Sequence, residues 1–62
     1  MKRAAALGLL RSAGYHNDIN TWVRVYVENN VSRTKADEEW SRGKRMRAAG
    51  EPCNCRDCAA SR

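Results

Sequence analysis

The chain has 62 residues, with twelve Lys and Arg against seven Asp and Glu, a formal charge of +5. One domain spanning 1–62 is the ceiling at this length, because chains of about 60 residues bury only about 60% of their unfolded surface and usually need a staple. These figures exclude a cleft of the usual enzyme kind and a small-molecule substrate. They favour an anionic partner such as nucleic acid or an acidic protein surface.

The N-terminal stretch MKRAAALGLLRSAG places two cations ahead of an apolar run, as a secretory signal does. That run meets Arg11 at the lower limit for such a core. Its alanine and leucine content predicts a helix over about 2–13 instead. Ala6, Leu9, Leu10 and Ala13 share one face of it, and Gly14 is expected as its stop. YHND at 15–18 then reads as a turn. No stretch approaches the roughly 20 apolar residues of a membrane span, so no membrane partner is expected.

Asn17 or Asp18 is expected to cap a second helix over about 19–29. Ile19, Trp22, Val23 and Tyr26 fall at i, i+3, i+4 and i+7. Val25 and Val27 widen the apolar arc to about half the cylinder, which predicts a central helix touched on two sides. Arg24 and Glu28 are left for water. The β-branched run also fits a strand, but clean alternation and a partner strand are absent.

Asn29-Asn30 is a turn signal, since Asn tolerates the left-handed conformation. Ser32 suits the N-cap of a third helix over about 33–49. Val31 and Ala36 hold the positions of a hydrophobic staple, while Lys35 leaves the capping box incomplete. Asp37, Glu38 and Glu39 precede Arg42, Lys44, Arg45 and Arg47, an order that complements the helix dipole. Gly43 lies beside Trp40 on the wheel and is expected to admit a second backbone. Gly50 and Glu51-Pro52 end the helix. The fold class expected is all-α, a small bundle of about three helices with a C-terminal cysteine knuckle.

All the cysteine of the chain, Cys53, Cys55 and Cys58, lies in EPCNCRDCAASR. The spacing C-x-C-x2-C lets thiolates wrap one ion, and Zn²⁺ is the default for a compact thiolate site. A closed structural site needs four ligands. His16 is the only histidine in the chain. The reading is a Cys3His site of Cys53, Cys55, Cys58 and His16, with structural zinc stapling the knuckle over 53–58 to the helices. A Cys55–Cys58 disulfide that leaves Cys53 over, or three free thiols, are the other readings. Asp57, a water or a second chain are the other candidates for the fourth position. An odd cysteine count without an export signal points to a reducing, cytoplasmic setting. No second carboxylate or histidine is placed to support metal hydrolysis, so no enzyme is expected.

The second and third helices, joined by Asn29-Asn30-Val31, resemble a helix-turn-helix with Tyr26, Val31, Ala36 and Trp40 as its inner core. Ser32, Arg33, Thr34 and Lys35 would then open a recognition helix suited to phosphate and base edges. Asp37, Glu38 and Glu39 would follow into the groove and repel phosphate. A looser arrangement uses Arg42, Lys44, Arg45, Arg47 and Arg56 on phosphates, with Trp40, bordered by Lys44 and Arg47, stacking on a base. The plain alternatives are a solvated helix end held by Arg33–Asp37 and Glu38–Arg42 pairs, and Trp40 as an ordinary core residue.

The short basic format, the helix ending KRMRAAG and the terminal EPCNCRDC resemble small phage- or prophage-encoded accessory proteins. The resemblance covers the last third of the chain and transfers no functional residue. It implies control of transcription, or binding and inhibition of a host enzyme. Two functions are therefore expected. The first is a nucleic-acid-binding, transcription-regulating factor with contacts at Arg33, Lys35, Lys44, Arg45 and Arg47. The second is a host-protein binder anchored by Trp40, Trp22 or the knuckle.

Overall fold

The computed structural model describes residues 2–52 and is all-helical there, with α1 over Arg3–Tyr15, α2 over Ile19–Glu28 and α3 over Arg33–Ala48. The three expected helices form, and no strand occurs among the described residues. Cys53, Cys55, Cys58, the rest of the knuckle over 53–58 and the residues after it lie outside the described residues.

Local side-chain chemistry starts α2 and α3. Asp18 caps α2 by accepting from the Thr21 backbone N–H at 3.3 Å and from the Thr21 hydroxyl at 2.6 Å. That hydroxyl first, and the backbone N–H second, hold the Asp18 carboxyl below the usual aspartate range. Ser32 caps α3 by accepting from the Lys35 N–H at 3.2 Å. Val31 and Ala36 are both buried, 7% and 0% exposed, as a hydrophobic staple requires.

All three helices end the same way. The N–H two residues past each C-cap returns to a carbonyl in the last turn, as in Asp18 to Ala13, Val31 to Tyr26 and Glu51 to Met46. Asn17, Asn30 and Gly50 supply the left-handed residue, with φ of 57°, 51° and 75°. The expectation for Gly14 is thus corrected. It is a buried residue inside α1, and the stop is Asn17, three residues later.

Gly14 and Gly43 instead bring α1 and α3 together, the most extensive packing in the molecule. A Cβ on Gly43 would strike the Arg11 carbonyl and stand 2.6 Å from the Tyr15 nitrogen; one on Gly14 would stand 2.8 Å from the Trp40 Cα. Gly43 therefore does admit a second backbone, as its place beside Trp40 suggests. In the same seam Glu39, 3% exposed, accepts from Arg11 Nε at 2.8 Å, with Arg42 on its other oxygen at 4.0 Å. A buried carboxylate requires such partners. Glu39 therefore does not project toward a nucleic-acid groove.

The core comprises Ala6, Leu10, Ala13, Trp22, Val25, Val31 and Ala36, with Leu7, Leu9, Tyr26 and Trp40 packed against it. Trp22 spans the middle, and its indole N–H donates to the Ala36 carbonyl at 3.0 Å. Among the described residues no buried side-chain polar atom lacks a partner. The helix α2 is covered on one side only. Ile19, Val23 and Val27 are 52%, 45% and 59% exposed, so the expected contact on a second side does not form within the described residues.

Candidate functional site

The third helix sorts its side chains into separate faces. Ala36, Glu39 and Gly43 are buried, Glu39 and Gly43 against α1. Along one margin of that contact run Arg33, Trp40, Lys44 and Arg47, which at about 100° per residue fall within an arc of about 60°. Each cation there meets an aromatic residue. The Arg33 guanidinium lies 5.5 Å from the Trp22 ring centroid, and Lys44 Nζ 5.4 Å from that of Trp40. Arg47 donates to the Tyr15 carbonyl at 3.1 Å.

The rings beneath are in contact with one another. Trp22 meets Trp40 edge to face at 5.7 Å and Tyr26 at 5.3 Å. Such arrangements hold the rings in place and orient the cations above them. Arg33 also pairs with Asp37 at 3.2 Å, which holds its pKa above the usual arginine value. Lys44 and Arg47 have no carboxylate partner among the described residues. Together with Gly14, Tyr15, Asn17 and Ala48 they surround a shallow hollow of about 400 Å³.

The remaining expected contacts lie elsewhere. Lys35 pairs with Glu38 at 3.5 Å. Arg45 stands on the outer face with Thr34, Asp37, Glu38 and Ser41. The structure thus brings together Arg33, Trp40, Lys44 and Arg47 and leaves Lys35 and Arg45 apart from them. The Arg33–Asp37 pair forms as expected. Glu38 and Arg42 do not pair: Lys35 takes the first and Glu39 the second. Trp22 is 7% exposed, which removes it as an anchor for a partner protein. The helix face carrying Thr34, Asp37 and Glu38 presents carboxylates where a recognition helix would meet phosphate.

His16 follows α1 directly, its ring edge-on to Tyr15 at 5.1 Å. Tyr15 reaches the other way as well, its hydroxyl donating to the Glu51 carbonyl at 2.6 Å. Among the described residues no three His, Cys, Asp or Glu side chains converge as ligands for an ion. Sequence reasoning missed Tyr15, whose place beside the His16 turn was the only available signal. It also missed the Arg11–Glu39 pair, which no local pattern announces across 28 positions.

No helix among the described residues is long and apolar enough to cross a membrane. Comparison with protein-family models, with curated proteins and with solved structures gives no match to this chain.

Proposed function

We propose that the chain is a small, non-enzymatic nucleic-acid-binding protein that contacts its ligand through Arg33, Trp40, Lys44 and Arg47. One observation carries this reading: three cations and a tryptophan share a single margin of α3, with two of the cations free of carboxylate partners among the described residues. Cations interleaved with rings suit a single strand, whose phosphates meet charge and whose bases meet aromatic faces. Control of transcription is the role that the phage-type resemblance attaches to such binding.

The same reading includes a structural Zn²⁺ held by Cys53, Cys55, Cys58 and His16. Its support is the Tyr15–Glu51 hydrogen bond. That bond ties the segment entering the cysteines to the helix that precedes His16, and only Pro52 lies between Glu51 and Cys53. Native mass spectrometry of protein purified without added metal should find one zinc per chain, lost or loosened in His16→Ala. A folded protein without metal would remove this component.

The nucleic-acid reading is tested by titrating a single-stranded oligonucleotide across salt concentrations. Affinity should fall steeply with salt, because bound cations release condensed counterions. The double variant Lys44→Ala/Arg47→Ala should bind more weakly and reduce the salt slope by about one to two. The control Lys35→Ala/Arg45→Ala should change both far less. Equal loss in the two double variants would show binding to net charge alone and sink the assignment of this margin.

A further inference from the structure

We infer that the hollow at the end of α3 seats a phosphate monoester, the phosphorylated end of a single nucleic-acid strand lying along the α3 margin. The inference rests on the nucleic-acid reading above and adds which part of the strand is read. Lys44 and Arg47 stand three residues apart on α3, so their side chains are neighbours on one face. Both are exposed, and both line the hollow with Gly14, Tyr15, Asn17 and Ala48. At about 400 Å³ it is near the lower limit for a ligand site, with room for one phosphate and its sugar rather than a run of nucleotides.

The two cations are held in place but not neutralised. Arg47 donates to the Tyr15 carbonyl at 3.1 Å, which leaves its other N–H donors without an acceptor among the described residues. Lys44 Nζ stands 5.4 Å from the Trp40 ring centroid. Of the acids close in sequence to the lining residues, Asp18 is bonded to Thr21 through both carboxylate oxygens. Glu51 is exposed and forms no ion pair with either cation. Both α1 and α3 end at this hollow, and free helix-end carbonyls would oppose an anion. Those of α1 are already engaged, Ser12 by His16, Ala13 by Asp18, Gly14 by Asn17 and Tyr15 by Arg47. Those of Arg45, Met46 and Arg47 accept from Ala49, Glu51 and Gly50. The Lys44 ammonium is therefore not needed to satisfy them.

Two features select the end of a strand over its middle. A phosphate monoester carries a charge of about −1.5 to −2 at neutral pH, against about −1 for a diester, so it matches two unneutralised cations in one hollow. The margin also stops here. No Lys or Arg follows Arg47 among the described residues. The chain reverses at Gly50, with φ of 75°, and the Glu51 carbonyl returns to the Tyr15 hydroxyl at 2.6 Å. A strand tracking Arg33, Trp40 and Lys44 thus meets its last charge contact at the hollow.

The test compares one oligonucleotide of about eight nucleotides with a 5′-phosphate, with a 3′-phosphate and with hydroxyls at both ends. A hydroxyl-ended strand one nucleotide longer controls for the added charge. Each is titrated against the full chain by fluorescence anisotropy at fixed salt. At least one phosphorylated form should bind about tenfold more tightly than both hydroxyl-ended strands. That preference should persist in Lys35→Ala/Arg45→Ala and vanish in Lys44→Ala/Arg47→Ala. Lys44→Gln, at an exposed position and with the Arg47–Tyr15 bond left in place, should also lower it.

Equal binding of the phosphorylated and hydroxyl-ended strands would overturn the inference. If Lys44→Ala/Arg47→Ala then weakened them all alike, the nucleic-acid reading would still stand. A preference that survives Lys44→Ala/Arg47→Ala would put the phosphate elsewhere and also overturn it. If no strand binds in any form, both readings fall. A phosphoserine peptide bound in that case would give the hollow to a phosphorylated protein.

Discussion

The α1–α3 seam and the α2 flank are held by opposite means. In the seam side chains have been removed, so that Gly14 and Gly43 let backbones touch and Glu39 reaches Arg11 across the contact. On the flank one large side chain, Trp22, fills the space and its neighbours Val23 and Val27 remain half in water. Close approach without side chains tolerates almost no added volume. Packing around a large ring tolerates more, and leaves an apolar surface beside it. The contrast locates rigidity in α1–α3 and exposed surface on α2 and on the α3 margin.

The largest effect should come from Gly43→Ala. Its methyl would meet the Arg11 carbonyl and the Tyr15 nitrogen, atoms of helix backbone that cannot step aside. A loss of about 3 kcal/mol or more is expected in denaturant unfolding, enough to unfold most of a small domain. A smaller shift would mean that the seam is looser than the glycines imply. Glu39→Ala follows, at about 2 to 3 kcal/mol. That is less than the usual cost of orphaning a buried ion, because Arg11, 37% exposed, can turn to water.

Trp22→Phe tests the other region. It deletes the indole N–H bonded to Ala36 and leaves a gap, for a loss of about 1 to 2 kcal/mol. A loss as large as that of Gly43→Ala would erase the distinction between the two regions. Gly8→Ala should have the smallest effect and the opposite sign. A Cβ there meets nothing within 4 Å, so alanine should stabilise α1 by up to about 1 kcal/mol, seen as a raised midpoint of thermal unfolding. Loss of stability at Gly8 would show that helical glycines in this chain share a role unrelated to packing.

Much of the fold was legible because it is local. Asp18 and Ser32 act on N–H groups three residues on, and Asn30 and Gly50 end helices by their own conformational preference. Gly14 was misread for the same reason. A glycine near a helix end signals a stop, whereas this one answers to Trp40, 26 positions away and invisible to any local pattern. Glu39 was read with its neighbours Asp37 and Glu38 as one acidic surface, and only the crossing of α1 separates them. Within the candidate site, helical periodicity alone grouped Lys44 and Arg47 with Trp40. It could not show that Tyr15 joins them, because that contact depends on how α1 meets the end of α3.

The closeness of Gly14 to Trp40 and of Gly43 to Arg11 has a consequence for folding. The tightest contacts join the first helix to the last, so the intervening chain must close into a loop of roughly 30 residues before they form, at an entropic cost set by that length. Neither a fragment ending after α2 nor one beginning there contains both sides of the seam. The helical body should therefore fold and unfold in a single step, with no stable half. The rate of that step should be set by the meeting of α1 with α3, since non-local pairings form more slowly than any single helix.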